Sequence, residues 1–251
     1  MVHFVGAGSG APDLITVRGK SLLETADTVI YAGSLVNPEL LKYTKPGCDI
    51  YNSAQMTLDE VIAVMKKAEE EGKTTVRLHT GDPSVYGAIR EQMDRLEELD
   101  ISFDVCPGVS SFCGAAASLK AEYTLPHISQ TVILTRMSGR TPVPHKEEIA
   151  SLAKHGATMI IFLSISFAKE LSAELISGGY SPDTPAAIVY KATWEDEKII
   201  RCTVGTLAQA ADRNNIKKTA LITVGDFLGD SYQLSRLYSP DFETGFRKAS
   251  K

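Results

Sequence analysis

The stretch His79-Thr80-Gly81-Asp82-Pro83-Ser84-Val85-Tyr86-Gly87 follows directly after a predicted strand, Thr74–Leu78. Gly81 allows the backbone to approach a ligand closely, and Pro83 restricts the turn. Asp82 can accept hydrogen bonds from a ligand, or it can cap the helix that follows. Because ligands of open α/β sheets bind outside the carboxyl ends of the strands, this turn is a candidate binding element.

Two further turns of small residues follow strands in the first half of the chain. Gly6-Ala7-Gly8-Ser9-Gly10 comes after the predicted strand Val2–Val5, and Pro107-Gly108-Val109-Ser110-Ser111 comes after Phe103–Cys106. A single turn of this kind is ordinary. Three of them would line one edge of one sheet, and this convergence indicates a binding site.

The Gly6–Gly10 turn, which comes first along the chain, also suggests an alternative, a nicotinamide-binding domain. The dinucleotide fingerprint requires G-x-G-x-x-G, and its third glycine would fall at Ala11. The second predicted strand ends at Tyr31-Ala32 without the acidic residue that would bind a ribose, and Asp27 lies before that strand. Alanine is tolerated at the position of the third glycine, but the missing acidic residue disfavours nicotinamide binding.

Strands alternate with amphipathic helices along the chain, which predicts an α/β fold. A helix opens at Thr57 with a capping box, since Glu60 lies three residues further on. The pattern changes at Lys120–Gln130, so we predict domains at residues 1–120 and 121–251. The second has fewer helices per strand, which predicts a mixed sheet, and residues 226–251 are predicted to form a tail packed on the body.

Composition excludes some classes of protein. Of 251 residues, 43% are hydrophobic and 23% charged, and the net charge of −5 gives no bulk attraction to nucleic acid. The four cysteines lack zinc-site spacing and are predicted to be buried free thiols, and the histidines show no metal pattern. We expect no bound metal, no signal peptide and no membrane span, hence a cytoplasmic protein.

Three blocks, Gly6–Gly19, Leu78–Gly87 and Pro107–Phe112, resemble the signature motifs of the tetrapyrrole (corrin/porphyrin) methylase family. The resemblance extends over the chain. The second-half blocks, Thr131–Pro144, Ala187–Arg201 and Leu237–Lys248, resemble the branch that methylates ring carbon 11 of precorrin-4 or cobalt-precorrin-4 in cobalamin biosynthesis.

The resemblance implies an enzyme with two α/β domains, an N-terminal mostly parallel sheet and a C-terminal mixed sheet, and an active site in the cleft between them. It implies S-adenosylmethionine as methyl donor, S-adenosylhomocysteine as product, a tetrapyrrole substrate and a homodimer. Carried over by position, it assigns cofactor contacts to Pro12, Gly81, Asp82, Val85, Ser110, Ser111, Leu163 and Ala192.

The first block departs from the family pattern. The family usually has Gly-Pro-Gly-Asp-Pro, whereas this chain has Gly8-Ser9-Gly10-Ala11-Pro12. Loss of the aspartate removes a turn cap or a ligand contact from this loop.

Arg136 and Arg140 are the predicted substrate-binding residues. They flank a Met-Ser-Gly turn, and the implied substrate carries many carboxylates, which arginine binds well. The alternative is that both are solvated loop charges. For a general base the sequence offers only Asp104 and Glu122, which are more typical of surface acids.

The same resemblance leaves other functions open. Another precorrin methylase is the nearest alternative, and diphthine synthase or a ribosomal RNA methyltransferase is more distant. The second-half blocks disfavour the first of these, and the acidic composition weighs slightly against RNA.

Overall fold

The computed structural model describes residues 1–250, which form two compact units. The first unit contains Met1–Ala115 together with Lys191–Glu197, a short segment from much later in the chain. The second contains residues 116–190 and 198–250. The predicted domains, 1–120 and 121–251, and the cleft between them stay predictions.

The first unit is built on a five-stranded sheet in the order β3-β2-β4-β1-β5, with every neighbouring pair parallel. Its strands are β1 (Val2–Gly6), β2 (Thr28–Tyr31), β3 (Asp49–Asn52), β4 (Thr75–His79) and β5 (Phe103–Cys106). The helices are α1 (Val17–Thr25), α2 (Leu58–Glu70), α3 (Arg90–Glu98) and α4 (Ser111–Leu119), which continues past residue 115.

The strands β1 and β4 lie side by side in the middle of this sheet. All five residues of β4 are buried, as are four of the five in β1, because helices cover both faces of a parallel sheet. Register places Gly6 opposite His79 and Val5 opposite Cys106, so β1, β4 and β5 end at one edge. The structure thus confirms that the three small-residue turns share an edge of the sheet.

The second unit contains a sheet in the order β6-β7-β10-β8-β9. Only β6 and β7 are parallel, and the other neighbours are antiparallel, so the sheet is mixed as predicted. The strands are β6 (Val132–Arg136), β7 (Thr158–Phe162), β8 (Pro185–Tyr190), β9 (Lys198–Thr203) and β10 (Ala220–Val224), and the helices are α5 (Ile149–Ala153), α6 (Ala168–Ser177) and α7 (Leu207–Arg213).

Some elements differ from prediction. The strand β3 was not predicted, because this edge strand is four residues long and its side chains are exposed or half-buried. The capping box of α2 is confirmed, with Thr57 and Glu60 each accepting from the other's backbone N–H. The tail prediction is wrong for most of its length: Phe227 packs edge-on against Tyr123, but most of the residues from 229 to 250 are exposed.

The cysteines are unpaired, as predicted. The predicted burial holds only for Cys106, since Cys48 and Cys202 are half-buried and Cys113 is exposed. Among residues 1–250 no helix has the length and hydropathy that a bilayer crossing requires.

Asp27 joins the beginnings of two strands. One carboxylate oxygen accepts from Lys45 Nζ at 2.6 Å, and the other accepts from the backbone N–H and the hydroxyl of Thr74, each at 2.9 Å. The hydrogen bond from Lys45, followed by those from Thr74, holds the pKa of Asp27 well below its usual range. The ionised form of Asp27 therefore stabilises the folded state.

We expect Asp27→Asn to lower the free energy of unfolding at pH 7 by about 1 kcal/mol, since the ion pair is partly solvated. Because the folded-state pKa is depressed, the wild type loses this contribution as the pH falls below about 4, while the variant does not. Urea unfolding at a series of pH values measures both effects. Asp49→Asn, which removes an exposed pair to Lys73, is the control. Parallel pH profiles for wild type and Asp27→Asn would contradict the assignment.

Candidate active site

The three turns at the carboxyl edge of the first sheet are in direct contact. In chain order, the first turn is Gly6–Gly10, the second is His79–Gly87 and the third is Pro107–Ser111. A β-carbon added to Gly6 would lie 2.6 Å from both the Gly108 Cα and the Gly81 carbonyl oxygen, and one added to Gly108 would lie 2.2 Å from that oxygen. Such distances are impossible for a side chain. These glycines are therefore required by the packing of the turns on one another, in addition to any role toward a ligand.

Backbone hydrogen bonds continue the strand pairing into the turns. Ala7 N donates to His79 O at 2.7 Å, and Gly8 and Gly81 exchange two bonds of 3.2 and 2.9 Å. Gly81 has φ of +60°, which glycine adopts without strain. The first and second turns thus form one hydrogen-bonded unit.

Asp82 connects the second turn to the third. One carboxylate oxygen accepts from the Gly108 N–H at 2.8 Å, and the other accepts from the N–H of Ser84 at 2.9 Å and from its hydroxyl. Partial burial raises the pKa of Asp82, but the hydrogen bonds from Ser84 and Gly108 together outweigh it and lower the pKa. The helix-cap alternative is wrong, because α3 begins only at Arg90. A ligand contact by Asp82 stays a prediction.

The other predicted residues of these turns lie beside this junction. Val85 is half-buried in the second turn, and Ser110 is buried, with its carbonyl accepting from the N–H groups of Cys113 and Gly114. Ser111 is the first residue of α4, and its N–H lies 3.3 Å from a β-carbon built on Gly81. The structure therefore brings together four of the predicted cofactor residues, Gly81, Asp82, Ser110 and Ser111.

A buried arginine supports the far end of the second turn. Arg77, on β4, donates from Nε to Gln92 Oε1 at 3.0 Å and from Nη1 to Ile30 O at 3.1 Å. Gln92 in turn donates from Nε2 to Ala88 O at 2.9 Å. Burial lowers the pKa of Arg77 to about 10, so it remains charged at neutral pH. The sequence analysis missed this network, for which the only signal was a basic residue inside an apolar strand.

His79 lies at the end of β4 and is only 4% exposed. Its ring stacks on Phe4 with centroids 6.1 Å apart, and its Nε2 has no partner among the described residues. Burial, with a smaller effect of the Arg77 charge, lowers the pKa of His79 to about 3. The imidazole is therefore neutral at physiological pH.

The segment Lys191–Glu197 packs against the first turn. A β-carbon on Gly10 would lie 2.2 Å from Trp194 Cδ1 and 2.6 Å from the carbonyl oxygen of Ala192. Ala192, a predicted cofactor residue, is therefore buried beside the first turn. Pro12 is half-buried and opens a short 3-10 helix, Pro12–Leu14. Ala11 occupies the position that precedes this helix, where an aspartate would have supplied a capping side chain.

The remaining predicted residues lie in the second unit. Register pairs Arg136 with Phe162, so Arg136 and Leu163 are at the same edge of the second sheet. Arg136 donates to the carbonyl oxygens of Met137, Thr141 and Pro142 at 3.0–3.1 Å, and thereby holds its own loop together. Arg140 is exposed in that loop, while Leu163 has φ of +53° and is 64% exposed.

Comparison with known proteins gives these features a context. The family model described as tetrapyrrole (corrin/porphyrin) methylases matches residues 1–208. The chain belongs to the tetrapyrrole methylase family. The cobalt-precorrin-4 C(11)-methyltransferase of Methanocaldococcus jannaschii is 55% identical over 251 residues, which is 100% of this chain and 97% of that protein. The protein of the same name from Priestia megaterium is 47% identical, over 100% of this chain and 98% of its own length.

A solved structure agrees. The X-ray structure of a cobalamin biosynthetic enzyme, cobalt precorrin-4 methyltransferase, is 49% identical with a TM-score of 0.89, and the match covers 90% of this chain and 95% of that one. The predicted α/β class with one parallel and one mixed sheet is therefore confirmed, and membership of this family disfavours the nicotinamide-binding alternative.

Half of the strained non-glycine backbone positions in this tetrapyrrole methylase lie in or beside the predicted site segments. Ten non-glycine residues among those described have positive φ, and five of them are Tyr86, Ala88, Leu163, Lys191 and Thr193. Such conformations cost about 1–3 kcal/mol each and persist where the surroundings enforce them, which is frequently at functional sites.

The acids considered for proton transfer lie at the surface. Asp104 is exposed and 2.7 Å from His3 Nδ1, and Glu122 is exposed and accepts from Thr124. Within residues 1–250, no group of three or more His, Cys, Asp or Glu side chains is arranged to hold a metal ion.

We expect Asp82→Ala to weaken binding of S-adenosylhomocysteine at least tenfold and to lower the free energy of unfolding by about 1–3 kcal/mol, because it leaves the Gly108 N–H without its acceptor. Ser84→Ala is the matched control, since it removes one bond to Asp82 but keeps the link to the third turn. Calorimetric titration and urea unfolding measure the two effects. Equal behaviour of the two variants would show that the link between turns is unimportant.

Proposed function

We propose that this protein is an S-adenosylmethionine-dependent methyltransferase that acts on ring carbon 11 of cobalt-precorrin-4 in cobalamin biosynthesis. The observation that carries the proposal is the full-length similarity to relatives of that name, which includes both units of the chain. The junction of three turns at the edge of a parallel sheet supports it, because that is where α/β proteins bind small molecules.

The first unit offers groups that fit S-adenosylmethionine. The methionine end of this molecule carries a carboxylate and an ammonium group, which need polar partners, and the adenosine needs apolar contacts with a few backbone hydrogen bonds. The second turn has peptide groups at positive φ, and the third turn carries Ser110 and Ser111. Pro12 and Val85, both half-buried, are the proposed apolar contacts, and Ala192, which is buried, is proposed to contribute backbone contacts.

Leu163, in the second unit, is the proposed adenine contact. Leu163 is 64% exposed, so its side chain is available to an apolar ligand, and its φ of +53° is a strained conformation of the kind found at functional sites. When bound, S-adenosylmethionine supplies the methyl group on a sulfonium, which is the electrophile. The contribution of the protein is to hold both reactants in line and to keep water away.

The acceptor is a nucleophilic ring carbon, and a proton leaves after the methyl group is transferred. His79 does not accept this proton, because its ring is buried and stacked on Phe4. We propose that methyl transfer depends on positioning and that solvent takes the proton.

The loop between β6 and α5 is the proposed contact for the carboxylates of the tetrapyrrole. Arg140 is exposed there and can meet a carboxylate, whereas three hydrogen bonds commit much of the Arg136 guanidinium to the loop itself. We therefore assign Arg140 to direct binding and Arg136 to shaping the loop. We also propose a homodimer in the cytoplasm, with no nucleic acid or membrane as partner.

The proposed activity is tested with labelled S-adenosylmethionine and two acceptors, cobalt-precorrin-4 and metal-free precorrin-4. We expect a product one methyl heavier, methylated at carbon 11, and a higher kcat/KM for the cobalt form. Preference for the metal-free acceptor would revise the substrate. Transfer to ribosomal RNA or to an elongation factor, with none to either tetrapyrrole, would refute the proposal.

The two arginines are separated by their variants. Arg140→Ala should raise KM for the tetrapyrrole about tenfold, the effect of losing one charged hydrogen-bonded contact, and leave the melting temperature and cofactor affinity unchanged. Arg136→Ala should raise the same KM and also lower the melting temperature, because the loop carbonyls lose their donor. A normal KM in Arg140→Ala would remove this residue from the substrate site.

A further inference from the structure

The short 3-10 helix after the first turn lacks a capping side chain at its N-terminus. Ala11 precedes the 3-10 helix Pro12–Leu14 and has no side chain that could accept a hydrogen bond. Its own N–H donates to Thr193 Oγ1 at 3.0 Å, and the same hydroxyl lies 3.2 Å from Ser9 Oγ. One hydroxyl, 182 residues away in the chain, therefore holds both sides of Gly10.

Thr193 makes these contacts from a strained backbone. Its φ is +68°, a region that β-branched residues almost never occupy. Its own N–H donates to Glu197 Oε2 at 2.5 Å, which helps to fix the turn within the segment. Strain of this kind persists only where neighbouring contacts enforce it, and it marks positions at which geometry matters for function.

The packing around Thr193 leaves the first loop little freedom. Gly10 lies against the Trp194 ring, and a β-carbon on Gly114 would lie 2.5 Å from Ser9 Cβ and 3.4 Å from Thr193 Cγ2. The segment is itself braced, since Lys191 Nζ is 5.0 Å from the centre of the Trp194 ring and 2.6 Å from Asp196 Oδ2. The hydroxyl of Thr193 thus reaches the loop from a rigid support.

We propose that Thr193 is a positioning residue for the cofactor. Its hydroxyl holds residues 9–12 in the conformation that binds S-adenosylmethionine. In this chain the hydroxyl replaces the capping side chain that Ala11 cannot provide. This inference rests on the proposed function for its ligand, but the state of the loop can be measured without any ligand.

Trp194 is the only tryptophan of the chain and packs on Gly10, so its fluorescence reports on the loop directly. Thr193→Val keeps the shape and removes the hydroxyl. We expect it to shift the emission to longer wavelength and to increase quenching by acrylamide in the ligand-free protein. Thr193→Ser, which keeps the hydroxyl, and Thr25→Val, an equivalent change on α1, should resemble the wild type.

Ligand affinity provides the second measurement. Thr193→Val should raise the dissociation constant of S-adenosylhomocysteine about tenfold and leave kcat at saturating cofactor within about twofold. Thr193→Gly removes the hydroxyl and the strain together. It should bind as weakly as Thr193→Val while melting at an equal or higher temperature, because glycine adopts positive φ freely. If Thr193 were purely structural, its variants would lose ligand affinity and thermal stability in parallel.

The outcomes separate the two proposals. Wild-type fluorescence and wild-type affinity in Thr193→Val would overturn the role of Thr193. Parallel losses of affinity and melting temperature in Thr193→Val and Thr193→Gly would also overturn it. Absence of cofactor binding by the wild type would instead refute the proposed function, and the ligand-free fluorescence would still decide whether Thr193 holds the loop.

Discussion

The contact among Gly6, Gly81 and Gly108 is the constraint on which the candidate site depends. Parallel strands bring their carboxyl ends to one edge, but the turns that leave three strands can touch there only if no side chain stands between them. A β-carbon at Gly6 or Gly108 would lie only 2.2–2.7 Å from atoms of the neighbouring turns, so even alanine at either position would push the turns apart. Once the backbones meet, one carboxylate, that of Asp82, is sufficient to join two of the turns.

Much of this arrangement could be predicted from the sequence. The alternation of strands and helices, the capping box at Thr57 and the small residues after three strands give the α/β class and the shared edge. What could not be predicted is what the small residues do. The sequence suggested that Gly81 admits a ligand, whereas in the structure Gly81 also admits another turn. Which neighbour fills the space beside a glycine is decided by tertiary packing, which a single sequence does not reveal.

The same limit explains the missed polar residues. Arg77 and Gln92 are 15 residues apart on different elements, and Thr193 is far in sequence from the loop that it contacts. Local periodicity carries no information about such pairs. The predicted substrate arginines show that residues with a similar sequence context can also differ in structural role. Arg136 and Arg140 are similar as residues in a loop, but the structure gives Arg136 three carbonyl acceptors and leaves Arg140 exposed.

The membership of Lys191–Glu197 in the first unit has a consequence for the independence of the two halves. A fragment that ended near residue 120 would contain all five parallel strands and all three turns, yet it would lack the only tryptophan and the hydroxyl bound to Ala11. The amino-terminal half therefore contains every strand of its sheet but lacks residues that shape its first loop. Insertions or deletions in the connection between β8 and β9 would change that loop without altering any residue of the amino-terminal half.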